Sequence, residues 1–155
     1  MFAVKTILVP TDFSENSMLA LQQAAQFATK FDAELALLHV VETLVYPAVT
    51  FGAGASSLPV LAEELHQNAS TQMDRVLAEK VPEGIRARGL LREGPAAVEV
   101  CAVATEEKAD LIVIATHGHT GIKHMLLGST AEKVVRTAPC PVLTVRDPEN
   151  VIELS

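Results

Sequence analysis

Residues 111–115 read Leu111-Ile112-Val113-Ile114-Ala115, an unbroken apolar run, and Thr116-His117-Gly118 leads from it into a loop ending at Gly128-Ser129-Thr130. A short apolar run bounded by turn residues and rich in β-branched side chains is a strand buried on both faces. Beyond the loop, Ala131, Val134, Val135 and Ala138 recur at helical spacing and mark a short helix, and Pro141 to Arg146 makes a last strand. A doubly buried strand followed by a helix is the repeating unit of a parallel sheet covered by helices.

The same alternation extends toward the N-terminus. Val4 to Pro10 contains Ile7-Leu8-Val9 closed by proline, and Thr11-Asp12-Phe13-Ser14 supplies cap residues for a helix over 14–31. Its core face is expected to carry Ala20, Leu21, Ala24, Ala25, Ala28 and Phe31. Leu35 to Val41, interrupted only by His39, reads as a second buried strand. Residues 42–57, with Pro47, Gly52, Gly54, Ser56 and Ser57, read as a loop. Leu61, Leu65, Ala69, Met73, Val76 and Leu77 draw the apolar stripe of a long second helix ending near Pro82. Gly84 to Gly94 holds a third strand, whose Arg86, Arg88 and Arg92 suit a sheet edge. Pro95 opens a third helix reaching about Ala109. The expectation is one α/β domain, an open five-stranded parallel sheet with helices on both faces, over residues 1–147, with 148–155 as a tail.

Composition narrows the function classes. With 49% hydrophobic and 20% charged residues there is ample material for a core, which argues against disorder. Twelve Lys and Arg against 19 Asp and Glu, with six aromatics and no Trp, leave neither the basic patch nor the stacking platform that nucleic-acid binding uses. No apolar run approaches the length that spans a bilayer, and no secretory signal is visible. Cys101 and Cys140 form no CxxC pair and fit a reduced, cytoplasmic compartment as two buried small hydrophobes.

In open sheets of this class ligands bind at the carboxyl ends of strands where the winding reverses. That directs attention to Pro10–Ser14 and to the loop from Thr116 to Ser129. Glycines allow close backbone approach, and the unpaired amides opening a helix attract anions, so Gly118, Gly128, Ser129 and Thr130 suggest a phosphate cradle. Lys123, His119 and His124 would add positive charge. The competing reading is that Ser129-x-x-Glu132 is a capping box. Neither GxxxxGK[ST] nor GxGxxG occurs, and Gly52-Ala53-Gly54 follows no strong strand. His117, His119 and His124 match no zinc spacing, so no metal site is expected. His39 reads as a core histidine with one nitrogen satisfied, and Asp12 as a cap for the first helix unless a ligand claims it.

Three segments, Ile7-Leu8-Val9-Pro10-Thr11-Asp12-Phe13-Ser14, Leu37-Leu38-His39-Val40, and Asp110–Ile114 through Ala138-Pro139-Cys140-Pro141-Val142-Leu143, resemble the universal stress protein family almost end to end. The resemblance implies a Rossmann-like sheet in strand order 3-2-1-4-5. The motif of the family's ATP-binding branch is a glycine, two residues, a glycine, nine residues, then glycine and a small hydroxyl residue. Gly118, Gly128 and Ser129 match it, and Ala115 stands where the first glycine would be. By resemblance Asp12 meets the adenosine, Val40 lines the adenine slot, and Gly118, Gly128, Ser129 and Thr130 hold phosphates. Pro10, Thr11 and Ala115 complete the expected set at the two strand ends. A Cβ at 115 lies where it could crowd the ligand, but it adds one methyl, and with the other glycines, Ser129 and the loop length intact the pocket is expected to accept a nucleotide.

The leading expectation is therefore a cytoplasmic homodimer that binds ATP and reports nucleotide or stress status, pairing through the last strand, Val142 to Arg146. Asp12 is the one Mg²⁺ or base candidate near the expected phosphates, so fast P-loop-like hydrolysis is not expected. The alternatives are slow hydrolysis or phosphate transfer to Ser129 or Thr130, and a nucleotide-free dimer, suggested by Ala115.

Overall fold

A computed structural model describes residues 3–42, 58–118 and 127–150. The order is β1 (Thr6–Pro10), α1 (Glu15–Phe31), β2 (Glu34–Val41), α2 (Leu58–Lys80), β3 (Ala87–Glu93), α3 (Ala96–Glu106), β4 (Leu111–Ala115), α4 (Ser129–Thr137) and β5 (Val142–Val145), followed by a 3₁₀ turn at Pro148–Asn150. The five strands form one sheet in the order β3-β2-β1-β4-β5. Every pairing is parallel, with Ile7 opposite both Leu35 and Leu111. The chain winds outward from β1 in one direction and then from β4 in the other, so the switch point lies between β1 and β4.

Because successive strand side chains point to opposite faces, each apolar strand feeds two cores. Ile7, Val9, Leu35, Leu37, Val113 and Ala115 pack under α1 and Met73 of α2. Leu8, Ala36, Leu38, Ile112 and Ile114 pack against Val100 and Val103 of α3 and Ala131 and Val134 of α4. The alanine stripe of α1 is buried throughout, and its short side chains let the helix lie close to the sheet. Ser14 caps α1 by accepting from Ser17 N, and Asp32 ends it in the left-handed region at φ 53°.

Several expectations about the helices are corrected. Phe31 is 42% exposed: at the last position of α1 it stacks on Phe27 instead of reaching the sheet. Leu61 and Leu65 are exposed as well. The 23 residues of α2 run roughly 34 Å, beyond the roughly 26 Å of β2, so only the half from Ala69 onward packs on the sheet. In the short α4, Val134 takes the core position and Val135, turned about 100° away, faces outward. Helix α3 stops at Glu106, with Lys108 left-handed at φ 51° turning the chain toward β4.

The arginines of the β3 edge are engaged in ion pairs. Arg88 donates to Glu34 at 2.7 Å and also pairs with Glu107, Arg92 meets Glu106, and Arg86, one residue before β3, reaches the Asp32 carbonyl at 2.9 Å. The cysteines are half-buried. Thr137 gives its hydroxyl hydrogen to Lys133 O, so the Cys101 thiol is the donor in its 3.3 Å contact with Thr137 Oγ1. Burial pushes the Cys140 thiol up, the direction of an unreactive group.

Candidate functional site

At the carboxyl ends of β1, β2 and β4, where α3 and α4 begin, a cleft of about 510 Å³ opens. All nine residues expected from the sequence line it: Pro10, Thr11, Asp12, Val40, Ala115, Gly118, Gly128, Ser129 and Thr130. The histidines and lysine of the loop, His119, Lys123 and His124, lie outside the described residues.

One wall grows from the end of β1. Thr11 N extends the ladder to Leu38 O at 2.8 Å, and the buried Thr11 Oγ1 accepts from Phe13 N at 3.0 Å. Ser17 donates its hydroxyl to Ser14 O at 2.9 Å, so the hydrogen in the 2.9 Å Thr11–Ser17 contact comes from Thr11. The Thr11 side chain is thus committed to the turn. Asp12 Oδ1 accepts from both the backbone N and the hydroxyl of Ser14. Asp12 is not the cap of α1. Ser14 caps the helix, and Asp12 holds Ser14.

Phe13, left-handed at φ 64°, lays its ring 4.4 Å from that of His39. His39 Nδ1 contacts Thr11 O at 2.8 Å. A carbonyl only accepts, so Nδ1 carries the proton. The expected single satisfied nitrogen is present, on a half-buried histidine that also borders the cleft.

The opposite wall comes from β4 and α4. Thr116 O accepts from Gly128 N at 2.6 Å, pinning the start of α4 to the end of β4. A Cβ on Gly128 would come within 3.0 Å of that same carbonyl. Gly128 itself is the N-cap of α4, and no side chain bonds to the helix amides there. The competing reading, a capping box, is not formed: Ser129 is the first helical residue, and Glu132 instead pairs with Arg136 at 2.9 Å. Amides of a first helical turn have no partner inside the helix. Here that turn, Ser129-Thr130-Ala131, lines the cleft, and the helix dipole adds positive potential.

Ala115 stands where a glycine was expected, at the end of β4. Its side chain belongs to the core under α1, whereas neighbouring Ile114 points to the α3/α4 side. The apolar flank was largely missed by sequence reasoning: Val41, Leu65, Ala96 and Val100 join Val40 there, with Glu42 accepting from Ala96 N at 3.3 Å. The spacing of α2 predicts a core position for Leu65, which instead is exposed and lines the cleft. Only its exposure, not its spacing, distinguishes the two roles. Among the described lining residues the charged groups are Asp12 and Glu42, with no Lys or Arg, so attraction for an anion on this side rests on the α4 terminus.

The comparisons with known proteins agree with this architecture. The model of the universal stress protein family matches residues 3–146. Universal stress protein MJ0531 of Methanocaldococcus jannaschii is 37% identical over 145 residues, covering 94% of this chain and 84% of its own length. The solved structure of MJ0577, from the same organism, superposes with a TM-score of 0.81 at 31% identity, covering 93% of this chain and 96% of the other. A universal stress protein solved in complex with cAMP superposes at 0.61 with 26% identity, covering 93% and 98%. By the extent of the family match and the level of identity, this chain belongs to the universal stress protein family.

Proposed function

We propose that this protein binds ATP in the cleft and acts as a nucleotide-responsive module, a cytoplasmic homodimer joined along β5. The observation that carries the reading is the uncapped first turn of α4, facing Asp12 across a cleft whose far flank is apolar. Such a cleft suits a nucleotide end to end: a base against Val40, Leu65 and Val100, a sugar beside Asp12, and phosphates at the amides of Ser129 and Thr130. The related protein solved with cAMP supports an adenine nucleotide as ligand class. The inward methyl of Ala115 favours this reading over a nucleotide-free one.

Binding suits the cleft better than fast turnover. Asp12 Oδ1 already accepts twice from Ser14, and Glu42 accepts from the α3 amide at the base end. A Mg²⁺ ion would therefore rely on the phosphates and water for most of its ligands.

Calorimetric titration with ATP, AMP and adenosine, together with mass spectrometry of ligand released from denatured protein, tests the reading. The expected result is binding of all three, tightest for ATP. Absence of measurable ATP binding, with no nucleotide released, defeats it.

A further inference from the structure

We propose that position 118 is glycine in order to seat the Asp12 carboxylate, so that Ser14, Asp12 and Gly118 form one positioning unit joining the β1–α1 turn to the loop after β4. Two general reasons for a glycine are a left-handed backbone and close approach of another group. The first does not apply, because the positive-φ glycines among the described residues are Gly84 and Gly94. The second does. A Cβ built on Gly118 would collide with Asp12 Oδ2 and lie 3.5 Å from Asp12 Cγ, and no other described residue beyond its chain neighbours comes within 4 Å. The space left by the missing side chain is thus occupied by one carboxylate. Gly128 differs, since its clearance serves the backbone carbonyl of Thr116.

From the other side the carboxylate is held by Ser14, which donates both its backbone N–H and its hydroxyl to Oδ1. Ser14 is buried and its Oγ accepts from Ser17 N at 3.2 Å, so the clamp is anchored in the first turn of α1. Any side chain at 118 must swing Asp12 out of this arrangement. Because the displaced group is a side-chain end and Gly118 is exposed, the fold tolerates the change while the site does not. The unit acts on the sugar end of the ligand, which rests on the ATP reading above. Gly118 is then a positioning residue for Asp12.

The test is a double-mutant cycle of Gly118→Ala and Asp12→Ala, read by calorimetry with adenosine and with ATP and by thermal melting. Gly118→Ala is expected to weaken adenosine and ATP by the same factor, about tenfold to a hundredfold as for one hydrogen bond to a charged group. Asp12→Ala should give a similar loss, and the double variant no further loss. Melting of the Gly118→Ala variant should stay close to wild type. The carboxyl-carbon resonance of Asp12, followed by NMR in nucleotide-free protein, should move in Gly118→Ala, a readout independent of any ligand. A loss confined to ATP, losses that multiply in the double variant, or an unmoved Asp12 resonance overturns the proposal while leaving ATP binding intact. Wild-type protein that binds neither ligand overturns the ATP reading and, with it, the sugar-facing role.

Discussion

Ala115 illustrates how a single methyl is judged by its direction. In the family motif a glycine stands at this position, and an added Cβ there suggests crowding of the ligand. Strand alternation sends it the other way, into the core shared with Val113 and α1, where Ala115 is 9% exposed. Ala115→Gly is therefore expected to leave ATP affinity within about twofold, well under 1.4 kcal/mol. Stability should fall by about 1–2 kcal/mol, from the lost methyl and the added chain entropy. Calorimetry and urea denaturation check the two halves separately, and a marked gain in affinity would return the methyl to the cleft. The motif was legible in the chain, but motif spacing carries no information about which side of a strand a Cβ occupies.

At the scale of elements, the β3 edge is where charge and packing meet. Gly89 sits under α2, where a Cβ would come within 2.5 Å of Met73 Cγ, so the helix seats directly on the strand. Around it Arg88 ties β2 to the turn after α3 through Glu34 and Glu107. The Arg88 guanidinium holds the Glu107 carboxyl below its ordinary value of 4.5. Since the folded value is depressed, the stabilisation is fully present above the ordinary carboxylate range and is lost as pH falls through the folded value. Glu107→Gln should accordingly be less stable than wild type at pH 7, with the difference closing toward pH 3 in urea melts. The partly exposed pair makes this a small effect. A difference that stayed constant across that range would mean that packing, not ionisation, is responsible. The sequence placed three arginines on a sheet edge, and their acidic partners, 14 to 54 residues away, became visible only when the sheet formed.

For the whole molecule, the open edge of β5 decides the proposed assembly. In a parallel ladder alternate residues bond to the same neighbour. Ile112 N donates to Pro141 O and Thr116 N to Val145 O, both at 2.9 Å. This phase turns the amides of Leu143 and Val145 toward β4 and that of Thr144 toward the edge. Thr144→Pro is thus expected to abolish dimerisation with the fold kept, whereas Leu143→Pro would damage the β4–β5 pairing itself. Sedimentation velocity at micromolar concentration reads both. A monomeric wild type, or a Thr144→Pro variant that remains dimeric, removes β5 as the interface. The exposed edge is a liability that association would relieve.

What the sequence determined by itself is what local pattern can encode. Apolar runs such as Ile7–Val9 and Leu111–Ala115 specify doubly buried strands, their alternation with helices specifies a parallel sheet, and the glycine-serine spacing of the loop after β4 marks the cleft. The tertiary structure decided what depends on two distant segments meeting. It made Ser14 rather than Asp12 the cap of α1, left the first turn of α4 without a side-chain cap, brought Leu65 to the cleft instead of the core, and set Asp12 against Gly118. Periodicity fixes which way a side chain leaves its own element. Whether another element is there to receive it depends on helix length against sheet length and on the approach of loops far apart in the chain.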